Sequence, residues 1–253
     1  MARLSTVLVE GFRFICAAER VVDDIASRIG IRRRYFSQKG QDRWVIERAA
    51  ASQRDGYFVE VGAGDGRTHS NTFVLERDFG WTGLLIEPNP GFADAIRKYR
   101  SSELLTSCAD AEVGDKPFLT LGYMGGLVGE DTDHAPSRRP AILRRHAEKI
   151  HTLPCKPLAD MLEEAGAPAV IDFLSMDVEG AEYRILKSFP FDRFTFRAIT
   201  IERPTRELHA LLVEAGYVLD RIKLYDGFYL SRDNAKRLGT AGVPFDGMNP
   251  KFF

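Results

Sequence analysis

Cysteine is scarce: the chain has three in 253 residues, at Cys16, Cys108 and Cys155. An odd, widely spaced set draws neither a disulfide framework nor a CxxC zinc site, so reduced thiols in a cytoplasmic protein are expected. Long apolar runs are missing too, and no stretch approaches the about 20 residues that a membrane span needs. The apolar-rich run from Leu4 to Ala18 is interrupted by Glu10 and Arg13, and it lacks the basic start and cleavage site of a secretory signal. Neither sign of charge dominates. With 35 basic and 36 acidic side chains the formal net charge is -1, which argues against a dedicated nucleic-acid binder. Glycine and proline are not in excess, and a chain 44% hydrophobic and 28% charged can bury a sizeable core.

What is present alternates in style. Residues 4–29 read as helical, with Val21, Ile25 and Ile29 on one stripe, followed by the basic run Arg32, Arg33 and Arg34. From Tyr57 onward, short apolar runs bounded by turn residues predict strands at 57–61, 83–86, 104–108, 170–176 and 197–201. Helical stripes lie between and after them. One is Phe92, Ala95, Ile96 and Tyr99, opened by Asn89 as cap and Pro90 at the first position. The others are Leu158, Met161, Leu162 and Ala165, and then Leu208, Leu211, Leu212 and Ala215. A further helix is expected over Asp42–Ala51. This alternation predicts an α/β fold whose parallel sheet carries helices on both faces. Asp226-Gly227, between the runs 217–225 and 228–230, predicts a closing hairpin turn. Residues 113–152 break the rhythm and are expected to form a lid-like insertion.

The most informative segment is Glu60-Val61-Gly62-Ala63-Gly64-Asp65-Gly66, between the first strand and a helix. Glycines there permit a tight turn and close approach of backbone N–H groups to a ligand. The spacing is G-x-G-x-G, with Arg67 where a dinucleotide fingerprint needs another residue pattern, and no phosphate-cradling Gly-Lys-Ser/Thr follows. Glu87 closes the second strand, where a carboxylate can accept both hydroxyls of a ribose. A ligand with a ribose and no pyrophosphate is implied, and S-adenosylmethionine fits.

The segments Phe36–Asp42, Glu60–Gly66, His69–Thr72, Leu85–Pro90 and Ile171–Glu182, in that order, resemble the FkbM-type S-adenosylmethionine-dependent methyltransferases. The resemblance covers residues 35–231. It implies a class I methyltransferase, Rossmann-like sheet of seven strands, with the last inserted antiparallel. It further implies that Ala109 and Asp110 lie near the adenine, with Pro88 beside Glu87, and it draws Gln41 towards the donor. The expected organisation is an N-terminal helical extension (1–34), a methyltransferase domain (35–240) and a tail (241–253).

For chemistry, Asp177 and Glu179 end the fourth strand at the sheet's carboxyl edge, where ligands of open α/β sheets bind. Two apart on an extended segment, they are expected to share one mouth, although Glu179 can instead cap the next helix. Glu202 ends the fifth strand at the same edge, to bind the acceptor or pair with Arg203 or Arg206. His69, at the start of the helix after the glycine loop, is a candidate base or substrate contact. Gln38 and Gln41 carry amides able to hold the donor's amino-acid end. Three acids on one edge suit a divalent metal, but no ligand spacing singles one out and none is favoured.

The expected activity is O-methylation of a sugar, polysaccharide or secondary-metabolite hydroxyl, with a small-molecule or glycan acceptor as partner. The N-terminal helices offer a homodimer surface. A nicotinamide-dependent oxidoreductase is the alternative, opposed by the glycine spacing and the antiparallel end of the sheet. A non-catalytic donor-binding module is another, opposed by Asp177 and Glu179.

Overall fold

The structure, a computed structural model, describes Val21 and residues 34–245. The expected N-terminal helix, Cys16, Arg32, Arg33 and the tail from Gly247 lie outside the described residues, as does the dimer surface assigned to those helices.

Gln41–Trp44 opens α1, which continues as a wider π turn over Val45–Ala49. The sheet is then built from β1 (Tyr57–Val61), β2 (Thr82–Ile86), β3 (Glu103–Leu105), β8 (Val170–Met176), β9 (Thr195–Glu202), β10 (Tyr217–Lys223) and β11 (Asp226–Ser231). Their spatial order is β10-β11-β9-β8-β1-β2-β3. All pairings are parallel except those of β11, which is inserted antiparallel between β9 and β10. The class I methyltransferase topology is therefore present.

Continuous apolar strands serve this arrangement because both faces are covered. Strand β1 turns Val59 and Val61 into one core and Phe58 into the other, while β2 divides Leu84 and Ile86 from Leu85 in the same way. The helices are α2 (Phe73–Phe79), α3 (Ala93–Tyr99), α4 (Pro140–Arg145), α5 (Leu158–Glu164), α6 (Glu182–Leu186), α7 (Arg206–Glu214) and α8 (Arg232–Arg237). Asn89 caps the turn Pro90–Phe92 that leads into α3, accepting from the Gly91 N–H at 3.0 Å. Leu158, Met161 and Leu162 of α5, and Leu208 and Leu212 of α7, are buried as their spacing predicts.

Two expectations are corrected. The strand expected over Leu104–Cys108 is two strands: Glu103–Leu105 ends the main sheet, while β4 (Cys108–Asp110) joins a second one. That second sheet, in the order β4-β7-β5-β6, also holds β5 (Gly114–Leu119), β6 (Gly126–Leu127) and β7 (Ile150–Pro157). It draws its strands β5 and β6 and the start of β7 from the insertion, and it aligns Cys108 with Cys155 as free, buried thiols. The closing hairpin turns at Leu224-Tyr225, with Leu224 at φ 57°, and Asp226-Gly227 already lies within β11. Buried partners for the Asp226 carboxylate, described below, outweigh its turn propensity.

Candidate active site

At the carboxyl end of β1 the glycine loop is shaped by its neighbours. Gly62 has φ 85°, and a Cβ there would fall 1.9 Å from the Asp177 carbonyl oxygen. Only glycine lets the ends of β1 and β8 close at this point, where the Asp177 N–H donates to the Val61 carbonyl at 3.0 Å. Gly64, at φ 56°, passes beneath Tyr123 of the insertion and donates its N–H to Glu87 Oε2 at 2.8 Å. The other carboxylate oxygen of Glu87 accepts from the Asn89 N–H at 2.8 Å. Burial pushes the Glu87 carboxyl up to about 7 against the pull of those two N–H groups.

The acids and glycines of the loop divide by role. Glu60 is buried and accepts from Ser70 Oγ (2.9 Å), the Asn71 N–H (2.7 Å) and Thr72 Oγ1 (2.6 Å), with Arg100 at 3.5 Å. Asp65 accepts from the Arg67 and Thr68 N–H groups, and Gly66 packs on Arg100 and Ile96. Those contacts shape the turn, and neither Asp65 nor Gly66 lines either of the two cavities described next.

A cavity of ≈ 260 Å³ opens over this edge. Gln38, Gln41, Glu60, Gly62, Ala63, Gly64, His69, Glu87, Asp177, Glu179 and Glu202 line it, so eleven expected residues meet there. A smaller, more apolar slot of ≈ 40 Å³ adjoins it, lined by Val61, Ile86, Glu87, Pro88, Ala109, Phe118 and Leu127 among others. Asp110, expected near it, instead pairs with Lys116 at 2.9 Å and Arg184 at 3.5 Å and lines neither cavity. Gln41 reaches the cavity wall with its amide engaged: Oε1 accepts from the Lys39 N–H and Nε2 donates to Asp226. His69 sits in the loop before α2 rather than on the helix. Its φ is 62°, and its Nδ1 is 2.9 Å from Gln38 Nε2.

In the same cavity, Asp177, Glu179 and Glu202 each bring a carboxylate oxygen within 4.8 Å of the others. Asp177 and Glu179 do share the mouth, but through a turn rather than an extended segment, because Glu179 has φ 54°. Glu179 does not cap the next helix, whose N-cap is Ala181; Glu182, its first residue, accepts from the Val178 N–H at 3.0 Å. Arg203, at φ 47°, binds Glu202 at 2.8 Å, Glu179 at 3.1 Å and Asp133 of the insertion at 2.5 Å. Non-glycine residues at positive φ cost about 1–3 kcal/mol each and gather where function over-determines the backbone. His69, Glu179 and Arg203 fit that pattern.

Burial, then the neighbouring Glu202 and Glu179, hold the Asp177 carboxyl well above the usual range. Burial and Glu202 push Glu179 up to about 8, against the pull of Arg203. The spacing of the three carboxylates suits a shared cation, and two protein cations already pair with Glu179 and Glu202 but not with Asp177. Arg203 is one; Lys39, 3.2 Å from Glu202 and 3.3 Å from Asp226, is the other.

Lys39, Tyr123, Tyr225 and Asp226 are site residues that the sequence reading did not single out. Lys39 lay inside the segment Phe36–Asp42, Tyr123 inside the glycine-rich part of the insertion, and Asp226 behind its reading as a turn. No sequence signal marked Tyr225.

No curated protein matches the chain. Among solved structures, it is similar to a methyltransferase FkbM from Methylobacillus flagellatus KT at 14% identity and TM-score 0.40. That match covers 70% of this chain, which spans only 43% of the other's length. A precorrin-6y C5,15-methyltransferase from Geobacter metallireducens GS-15 is similar at 12% identity and TM-score 0.37, over 74% of this chain and 85% of that one. Residues 60–219, well over half of the sequence, match the methyltransferase FkbM domain. By that match, the chain belongs to the FkbM family of methyltransferases.

Proposed function

We propose that the protein transfers a methyl group from S-adenosylmethionine to a hydroxyl of a sugar or another polyhydroxylated acceptor. The observation that carries this reading is the Glu87 carboxylate. Backbone N–H groups of Gly64 and Asn89 fix it at the end of β2, and each oxygen keeps a lone pair for a ribose hydroxyl. The residues present fit the donor. The slot with Ala109, Ile86 and Phe118 suits the flat, apolar faces of an adenine, and Gly62–Gly64 leave room along the loop for the amino-acid end. Bound there, the donor supplies a methyl group already activated on a sulfonium.

The chain's own residues then have two tasks. Alignment is the first: Glu87, the glycine loop and Tyr123 confine the cavity on the donor side, and ordering of this kind supplies several kcal/mol of a barrier. Proton handling is the second. Asp177 and Glu202 bring carboxylate oxygens within 4.8 Å of each other, and two acids this close do not both ionise readily. Their ionised oxygen can take up the acceptor's hydroxyl proton, a contribution of ~10²–10⁴-fold in rate. Glu179 and His69 contact the acceptor from either side, and a polar wall interleaved with Tyr123, Phe92 and Tyr225 rings suits a sugar.

Incubation with methyl-labelled donor and a panel of sugar and non-sugar acceptors tests the reading. A product heavier by one methyl group, formed only with hydroxylated acceptors, is expected. A failure of adenosylhomocysteine to bind by calorimetry would remove the proposal at its root.

A further inference from the structure

Lys39 is 5% exposed. An ammonium group so far from water is stable only when its charge and donors are matched. Its Nζ reaches Glu202 Oε1 at 3.2 Å and Asp226 Oδ1 at 3.3 Å, and it stands 3.9 Å from the centre of the Tyr225 ring. Burial lowers the affinity of that nitrogen for its proton, but Asp226 and Glu202 outweigh burial and push it up to about 12. Lys39 is therefore a fixed cation in the cavity wall and no candidate base.

Its effect falls unequally on the acids. Glu202 is clamped from both sides, Oε1 by Lys39 and Oε2 by Arg203. Asp177 has no Lys, Arg or His ion-pair partner among the described residues, and its neighbours Glu202, Glu179 and Glu182 are all acids. Two carboxyl groups whose oxygens lie within 4.8 Å of each other do not both ionise readily, and the member beside a cation keeps the charge.

We propose that Lys39 is a positioning residue for methyl transfer, one that keeps the charge of the Asp177–Glu202 pair on Glu202 and the shared proton on Asp177. This rests on the methyltransferase reading only for its consequence: the acceptor meets an O–H donor at Asp177 beside an ionised acceptor at Glu202. The remaining charged groups around the pair do not alter the asymmetry. Arg203 is shared with Glu179 and Asp133. Asp226 faces Lys39, and Glu182 is held by the Val178 N–H. His134, which lies near Asp133 and Arg203, is kept neutral by burial.

Isotope-edited infrared spectroscopy tests the assignment without any acceptor. In protein carrying carboxyl-labelled aspartate, a protonated carbonyl band at pH 7 is expected that Asp177→Asn abolishes. In glutamate-labelled protein, the difference between wild type and Glu202→Gln should contain an ionised Glu202 band and no protonated one. Lys39→Met should take roughly half of the Asp177 band and create a protonated Glu202 band, while Lys39→Arg restores the wild-type pattern. An unchanged pattern in Lys39→Met overturns the proposal. So does a wild-type spectrum of aspartate-labelled protein with no protonated carbonyl band at pH 7, which needs no variant to fold. Adenosylhomocysteine titration of the same samples separates the two readings: no binding removes the methyltransferase function and leaves the infrared assignment standing.

Discussion

Glu87 and Asp177 are both carboxyl groups at strand ends, yet their surroundings set them different tasks. Two backbone N–H groups fix Glu87 as an acceptor. Hydrogen bonds to a charged group are worth about 1.5–3 kcal/mol, so Glu87→Ala should weaken adenosylhomocysteine binding by that amount in calorimetry. Unaltered affinity would contradict the ribose assignment. Asp177 is set among acids beside Glu202, the ionised member of the pair, and Glu202→Gln should lower turnover by about 100-fold or more while donor affinity stays within about twofold. A parallel loss of both would make Glu202 a binding residue instead.

At the scale of elements, the site depends on how β1, the glycine loop, α2 and the end of α3 are locked together. Arg100 does this with a fully buried side chain. Its guanidinium binds Glu76 at 2.8 Å, the Gly66 carbonyl at 3.0 Å and Thr72 Oγ1 at 2.9 Å, with Glu60 at 3.5 Å. Removing one partner from a buried ion pair leaves the other charge uncompensated, so Arg100→Met should cost about 3–5 kcal/mol by urea denaturation. A loss below about 1 kcal/mol would mean that water replaces the guanidinium. The insertion is tied in by ion pairs: Asp133 reaches Arg203, and Asp131 reaches Arg184.

Across the whole molecule, charge and pH are linked through the acids of the carboxyl edge. Glu87 and Glu182 are pushed up to about 7 by burial, and Glu179 to about 8 by burial and Glu202. A folded carboxyl with a raised pKa holds a proton that the unfolded chain has released, so stability falls as pH rises between the two values. Buried His134, lowered to about 4, works in the opposite direction only up to the ordinary histidine range near 6.5. The urea midpoint should therefore decline from pH 6.5 to 8, and Glu179→Gln should flatten the decline. A midpoint that rises over that interval would show these acids to be ionised in the folded protein.

Local chemistry was enough to read the strands, the caps and the glycine loop, because apolar periodicity, an Asn-Pro start and the freedom of glycine act within a few residues. The order of acids along the chain likewise marked Glu87, Asp177, Glu179 and Glu202. The second sheet could not be read in this way, since the pairing of Cys108 with Cys155 joins segments far apart in the chain. Nor could the proximity of Lys39 to Glu202 and Asp226, which only the insertion of β11 beside β9 creates. Residue type and spacing determined which groups stand at the carboxyl edge. Which cation faces which acid, and so where charge and proton reside, was decided by packing, because electrostatic coupling depends on distance and burial in space and not on separation along the chain.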